Sequence, residues 1–264
     1  MKSFIHLVFI ALVSLFTACS SDKQDSVEYA EMHFRATIPN SDFKSTGTGS
    51  VVNMLYVEAI SNTNDRVRFE FPVTSGTVNA KISLAKGQTY DLIFWAQRQE
   101  NNLYNITDLR AITMNLPTTA ANVTGMEQYD AFYATVRNVA VGNQSVTDVE
   151  MQRPLAQLNV ASTNEATKTI IEFASIPTTF KPLNTEAPFE YTSVAITFDR
   201  DNSTFELEGT TYNHLAMMYI FATPTGNKIS FDATITKSET ESNTITIQEI
   251  DIKANNRTNI LGAL

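Results

Sequence analysis

The chain is poor in the residue types on which most catalytic and metal-binding sites depend. Its 264 residues include one cysteine, one tryptophan and three histidines. A structural zinc site needs several cysteine or histidine ligands, and a serine–histidine–aspartate site needs a histidine within reach of both partners. His6 lies in the apolar N-terminal run, so only His33 and His214 remain. This scarcity predicts that the protein is not an enzyme and holds no metal or cofactor.

Other chemical signatures are also missing. There is no glycine-rich phosphate loop and no dinucleotide-binding fingerprint. Residues 199–203 place oxygen-bearing side chains at alternate positions, but they lack the glycine and the distal glutamate of a calcium loop, and we interpret them as a hairpin turn. The net charge of -9 argues against nucleic acid or anionic lipid as a binding partner, since both are negatively charged.

The single cysteine, Cys19, directly follows the longest apolar run. Lys2 precedes this run, which occupies residues 4–16 and is shorter than the ~20 residues of a membrane span. With Thr17 and Ala18 before the cysteine, the pattern is typical of a lipoprotein signal peptide, in which residues 1–18 are removed and the thiol of Cys19 is acylated. An ordinary signal peptide followed by a spare cysteine is the alternative.

Lipidation at Cys19 would place the mature chain outside the cytoplasm. Several acyl chains together give stable anchoring, so we predict a protein that is anchored to a membrane by lipid. Residues 19–26 predict a flexible tether because residues 20–26 are all polar. Without Lys2, 18 basic residues face 28 acidic ones, for a net charge of -10. No second cysteine is available for a disulfide, so apolar packing must form the core.

The apolar residues follow the two-residue period of β-strands. In residues 31–38, Met32, Phe34, Ala36 and Ile38 alternate with polar residues, which predicts a half-buried strand. Residues 90–96 form the most apolar run after the signal and predict a central strand. Further strands are predicted at residues 51–60, 67–73, 77–84, 112–116, 130–137, 145–151, 155–161, 168–176, 190–198, 204–208, 215–223, 228–236 and 244–252.

This spacing of short strands indicates an all-β protein of the sandwich or barrel type. Pro154 cannot donate to a strand ladder and therefore belongs at a bend or an edge. We place a domain junction there, which predicts an N-terminal β-sandwich at residues 27–153 and a C-terminal β-sandwich at residues 154–264.

Several stretches also carry a family resemblance. They are residues 92–96 (Leu-Ile-Phe-Trp-Ala), 130–134 (Asp-Ala-Phe-Tyr-Ala), 153–160 (Arg-Pro-Leu-Ala-Gln-Leu-Asn-Val), 212–217 (Tyr-Asn-His-Leu-Ala-Met) and 256–262 (Asn-Arg-Thr-Asn-Ile-Leu-Gly). Together with the signal, they resemble the fimbrillin-like (Mfa-like) surface lipoproteins of Gram-negative anaerobes, and within these a subfamily known only as a domain of unknown function. The resemblance implies a location at the cell outer membrane, lipid-anchored and exposed at the surface or within a fimbria.

The resemblance implies two tandem transthyretin-like β-sandwiches and a structural or adhesive role in a surface fimbria. Polymerising members of that family are trimmed after the first strand by an arginine- or lysine-specific protease and are joined by strand donation from a neighbouring subunit, which satisfies an open sheet edge. The partners implied are other fimbrial subunits, in addition to the outer membrane that the lipid would contact.

This sequence departs from that pattern in two places. The chain stops at Leu264, where family members commonly continue for a further strand, and a clear processing site is missing. The candidates are Lys44, in the loop after the first predicted strand, and Arg35, within that strand. Both departures favour an anchor or accessory subunit over a polymerising one.

A glycan-binding surface lipoprotein of a nutrient-uptake system is the alternative function. Its main candidate residue is Trp95, because aromatic faces can stack on sugars. Trp95 ends the most apolar strand, however, so the favoured interpretation places it in the core. The same two interpretations apply to Tyr129, Phe132, Tyr133, Tyr212 and Tyr219.

Overall fold

The computed structural model describes residues 27–39, 52–120, 124–142, 146–200 and 202–263. Within these ranges the chain forms 18 strands and two short 3₁₀ helices, Glu100–Asn102 and Thr124–Tyr129. The all-β prediction is therefore confirmed. None of the helices in the described ranges has the length and apolar character needed to cross a membrane. The predicted signal peptide, Cys19, the tether and Lys44 lie outside the described residues.

Most strands lie where the apolar alternation predicted them. Those that were not predicted, β6, β8 and β18, are short or lie at the end of the chain. The strands are β1 (Tyr29–Thr37), β2 (Met54–Ser61), β3 (Arg66–Pro72), β4 (Thr77–Ala85), β5 (Thr89–Gln97), β6 (Tyr104–Asn105), β7 (Ile112–Met114), β8 (Thr119–Ala120), β9 (Ala131–Ala140), β10 (Thr147–Glu150), β11 (Leu155–Ser162), β12 (Lys168–Phe180), β13 (Phe189–Asp199), β14 (Thr204–Leu207), β15 (Thr210–Phe221), β16 (Asn227–Ser238), β17 (Glu241–Ile252) and β18 (Arg257–Gly262).

The first sandwich contains two facing sheets. Sheet 1 has the strand order β10-β1-β4, and sheet 2 has the order β3-β2-β5-β9. The alternating apolar residues of both sheets form one buried cluster, in which Phe34 of β1 meets Phe94 of β5 edge to face at 5.6 Å between ring centroids. The sequence period therefore explains which face of each strand is buried.

The second sandwich has larger sheets. Sheet 3 has the order β14-β15-β11-β18, and sheet 4 has the order β17-β16-β12-β13-β8, with β7 paired to β12 and β6 paired to β7. Apolar residues of β11 and β15 share one buried cluster with those of β12, β13 and β16. Every residue of β11 is buried, because it lies between two neighbouring strands and is covered on both faces.

Residues 98–129 leave sheet 2 after β5, add strands to the second sandwich and return to sheet 2 at β9, so they hold the two sandwiches together. The strands β6, β7 and β8 lie in this segment and hydrogen-bond into sheet 4, with Ile112 opposite Phe180. The same segment supplies Leu103 and Tyr104 to the cluster that includes Trp95 on sheet 2. A division of the chain at residue 153 therefore leaves three strands of sheet 4 on the N-terminal side.

A buried carboxylate ties this segment to sheet 2. Glu58 of β2 has a side chain only 3% exposed and lies 2.8 Å from Arg68 Nη2 and 3.5 Å from Arg66 Nη1. The backbone N–H of Leu109 donates to Glu58 Oε1 at 3.3 Å, and Arg68 donates to the carbonyl of Ile106. Two strands and the connecting segment therefore share one charged centre.

We expect the stability of this connection to depend on pH through Asp108. A side-chain hydrogen bond from Arg110, with Nη2 at 2.7 Å, lowers the pKa of Asp108 from 3.8 to about 2. A carboxyl group with a lowered pKa in the folded state stabilises the fold above its ordinary pKa, and this contribution is lost as the pH falls toward about 2.

Urea titrations should therefore show that Asp108→Asn has a lower free energy of unfolding than the wild type at pH 6. The two free energies should converge as the pH falls toward 2. The substitution removes the charge and keeps the shape of the side chain. A difference that stays constant across this range would show that Asp108 does not act through its charge.

Candidate functional site

The first strand occupies the centre of sheet 1. β1 pairs antiparallel with β4 over its whole length, from Tyr29 opposite Ala85 to Thr37 opposite Thr77. On its other side it pairs parallel with β10, from Phe34 opposite Thr147 to Thr37 opposite Glu150. Because β1 lies between β4 and β10, its removal would leave an open channel between those two strands, which we name the β1 groove.

Hydrogen bonds outside the regular ladders also hold β1 at both ends. The N–H of Lys86 donates to the carbonyl of Glu28 at 2.7 Å, and the N–H of Ile38 donates to the carbonyl of Gly76 at 2.8 Å. The N–H of Met151 donates to the carbonyl of Thr37 at 2.9 Å. The groove therefore offers backbone donors and acceptors along nine residues of strand.

The side chains of β1 and of the residue that follows it point into an apolar core, so the floor of the β1 groove is apolar and includes Phe94 of β5. Met32 and Ala36 are fully buried, and Phe34 and Ile38 are 2% and 5% exposed. Burying a large apolar side chain contributes ~1.5–3 kcal/mol. Any strand with apolar residues at alternate positions could fill the groove, because the backbone supplies the hydrogen bonds and the floor accepts every second side chain.

Arg35 lies on the exposed face of β1. Its Nε and Nη2 donate to Asp148 of β10 at 2.5 and 3.0 Å. This hydrogen bonding lowers the pKa of Asp148 and raises that of Arg35. The backbone of Arg35 is paired with both β4 and β10, whereas proteolytic cleavage concentrates at exposed loops. Arg35 is therefore poorly placed for cleavage while β1 is in the sheet.

The structure places Trp95 in the core and so removes it as a sugar-stacking platform. It is 0% exposed, its Nε1 donates to Gln97 Oε1 at 2.7 Å, and its ring and that of Tyr104 pack edge to face with centroids 5.2 Å apart. Trp95 and its neighbour Phe94 belong to different buried clusters, so both faces of β5 are covered. Tyr129, Phe132 and Tyr219 are also buried, and only Tyr133 and Tyr212 of that set are half-buried.

Each of the two histidines among the described residues contacts neighbouring side chains. His33 Nε2 lies 2.7 Å from Glu31 Oε1, and His214 stacks on Phe205 at 4.7 Å with Ser203 Oγ 3.3 Å from its Nδ1. In the ranges that the structure describes, no three His, Cys, Asp or Glu side chains are grouped to hold a metal ion.

Two of the stretches that carry the family resemblance are neighbours in sheet 3. The strands β11 and β18 run parallel, with Gln157 opposite Arg257 and Asn159 opposite Asn259. Arg257 Nε donates to Gln157 Oε1 at 2.8 Å, and Asn159 Nδ2 donates to Asn259 Oδ1 at 2.8 Å. These polar residues therefore stabilise a parallel pair. The sequence reading missed it, because no local signal links two segments so far apart.

Comparison with known proteins assigns a family and a fold. The model of the family of unknown function DUF6562 matches residues 24–264. No curated protein matches the chain. Among solved structures, a candidate polysaccharide-binding protein from Bacteroides thetaiotaomicron aligns with a TM-score of 0.54 at 10% identity, over 87% of this chain and 90% of that one.

Two other solved structures have a similar fold. A candidate adhesin from Bacteroides ovatus gives a TM-score of 0.52 at 10% identity, over 88% and 89% of the two chains. A fimbrial assembly protein from Parabacteroides distasonis gives a TM-score of 0.50 at 9% identity, over 89% of this chain and 91% of that one. At identities this low, the similarity shows a shared fold alone. The chain has the same fold as these three structures and belongs to the family of unknown function DUF6562.

Proposed function

We propose that this protein is a lipid-anchored component of the bacterial cell surface that serves as an anchor or accessory subunit of a fimbria. It consists of two transthyretin-like sandwiches and has no catalytic role. The observation that carries this proposal is the position of β1, which is the first strand of the described chain and also the central strand of sheet 1. A single cut after β1 would convert this strand into a separable peptide.

The predicted lipid anchor and the first strand would lie on the same side of such a cut. Cys19 precedes β1, and Lys44 is the only basic residue in the segment 39–51 that follows it. While the chain is intact, β1 fills its own groove and the protein stays attached to the membrane. Cleavage at Lys44 would break the covalent link that joins the lipid and β1 to the rest of the chain, and a strand from a neighbouring subunit could then compete with β1 for the groove.

Limited digestion with a lysine-specific protease and, in a separate sample, with an arginine-specific protease tests whether the chain is cut after β1. We expect cleavage of the folded protein at Lys44, with the peptide that contains β1 remaining bound under native conditions and separating in denaturant. Intact-mass spectrometry under both conditions gives the masses. Lys44→Gln should resist this cut, whereas Arg35→Gln should be cut as the wild type is.

Two results would contradict the proposal: cleavage of the folded wild type at Arg35, or no cleavage at Lys44 under conditions that cleave the unfolded protein at that residue. Ladders of linked subunits on a denaturing gel after digestion would identify a polymerising subunit. A monomer band would identify an anchor or accessory subunit. The glycan-binding alternative can no longer depend on Trp95, because its ring is buried.

A further inference from the structure

A cleft of about 270 Å³ opens where the two sandwiches meet. Tyr133 of β9 contributes the wall from the first sandwich. The second sandwich contributes the turn between β12 and β13, residues 181–188, and the turn between β15 and β16, residues 222–226. Ligand sites occur preferentially at such boundaries between folded units, and the volume is close to the lower end of their usual range.

Packed aromatic rings form one side of the cleft. Tyr133 meets Phe180 edge to face at 4.7 Å, and Phe189 lies nearly parallel to Phe221 with centroids 6.3 Å apart. Phe180 and Phe221 are buried, whereas Tyr133 and Phe189 are half-buried. The buried pair therefore holds two partly open rings in fixed positions.

Hydroxyl and amide groups form the other side. Asn184 and Thr185 are exposed in the first turn, and the hydroxyls of Thr223 and Thr225 lie 3.0 Å apart in the second. Gln152 Nε2 donates to the Tyr133 hydroxyl at 2.9 Å, so the Tyr133 O–H can serve as a donor toward a ligand. The lining thus combines apolar ring surface with neutral donors and acceptors.

The positive charge in the cleft is paired with a carboxylate. Lys181 is the one ionisable cation among the described lining residues, and its Nζ lies 2.5 Å from Glu190 Oε1.

Three of the lining residues are prolines, whose φ angle is fixed by the ring. The N–H of Lys181 donates to the carbonyl of Pro188 at 2.7 Å, and the N–H of Ala187 donates to Asn184 Oδ1 at 3.0 Å. A pre-organised site of this kind loses little entropy on binding.

We propose that this cleft binds one or two units of a neutral saccharide. The apolar C–H face of a sugar ring can pack on Tyr133 and Phe189, and its hydroxyls can exchange hydrogen bonds with Thr223, Thr225 and the Tyr133 O–H. An anionic ligand would require a free cation, which Lys181 does not supply. An apolar peptide or helix would require a continuous apolar groove, and it would leave the hydroxyl side without partners.

The test uses residues 20–264, which contain every described residue, and an array of neutral gluco-, manno-, galacto- and xylo-oligosaccharides. We expect at least one of these sugar classes to bind. Calorimetry should then show affinity at least tenfold weaker in Phe189→Ala, Tyr133→Phe and Thr225→Val. The last two substitutions remove one hydroxyl with little change of volume, so they remain informative if Phe189→Ala fails to fold.

Phe205→Ala is the matched control, because Phe205 is a half-buried ring on β14, outside the cleft. This variant should bind as the wild type does. The proposal is overturned if no neutral oligosaccharide binds, if only acidic sugars or proline-rich peptides bind, if binding survives the cleft substitutions, or if Phe205→Ala weakens it equally. The proposed fimbrial role does not depend on these outcomes, since it concerns β1.

Discussion

A chain that begins at Val52 and therefore lacks β1 is expected to lose the cooperative fold of its first sandwich. Met32, Phe34 and Ile38 are almost fully buried, and each contributes ~1.5–3 kcal/mol, so about 5–9 kcal/mol of apolar burial disappears with the strand. This is comparable to the ~5–15 kcal/mol that stabilises a typical domain. A synthetic peptide of residues 27–39 should restore the fold, because it refills the β1 groove.

Urea unfolding followed by circular dichroism, with and without the peptide, measures both effects. A matched peptide with Phe34→Asp should fail to restore stability, because it would place a charge against Phe94 in the core. If the shortened chain unfolds at the same urea concentration as the intact one, β1 is dispensable and the groove has no role in stability.

The second large effect is expected at the buried ion pair between Asp130 and Arg153. Both side chains are 1% exposed, and Arg153 donates to Asp130 through Nε at 2.6 Å and through Nη2 at 2.8 Å. Arg153 also lies over the ring of Phe132 at 4.7 Å and donates to Asn255, which has a left-handed φ of 59°. The pair therefore connects the start of β9, the residues between β10 and β11, and the turn before β18.

Arg153→Met should cost about 3–5 kcal/mol, because it leaves the carboxylate of Asp130 buried without its cation. The double substitution Asp130→Leu with Arg153→Met removes both charges and should recover most of that loss. Arg35→Met is the control for loss of an arginine, because its pair with Asp148 is exposed and should matter little. Urea unfolding of the wild type, Arg153→Met, Asp130→Leu and the double variant gives the coupling energy between the two side chains.

Two results would contradict a structural role for this pair. One is an Arg153→Met variant as stable as the wild type. The other is a double variant less stable than either single one, which would show that the cost comes from lost packing rather than from an unpaired charge.

Local alternation was enough to predict most of the strands. The pattern of Met32, Phe34, Ala36 and Ile38 identified β1 and the side chains that it buries in the groove. It could not place β1 between β4 and β10, because the parallel pairing with β10 joins segments more than one hundred residues apart. The central position of β1, on which the proposed function depends, is therefore a property of the tertiary structure.

The buried charge of Glu58 and the aromatic cleft could not be predicted from local sequence patterns either. Glu58 lies in a strand with apolar residues on both faces, and its burial depends on Arg66 and Arg68 in the next strand and on the segment that covers sheet 2. The strand predicted at residues 168–176 is shorter than β12, which continues to Phe180. The β12–β13 register shifts twice between Phe173 and Thr179, and such bulges interrupt the two-residue alternation on which the prediction depended. The aromatic cleft at the end of this hairpin was therefore missed.

Disulfide trapping would test strand replacement in the β1 groove most directly. The chain from Val52 onward contains no cysteine, and His33 lies opposite Lys81 in the β1–β4 ladder, where paired Cα atoms are close enough for a disulfide. A peptide of residues 27–39 with His33→Cys should crosslink to Lys81→Cys and much less to Asn79→Cys or Ser83→Cys. Equal crosslinking at the three positions, or none at Lys81→Cys, would contradict the claim that the groove accepts a separate strand in this register.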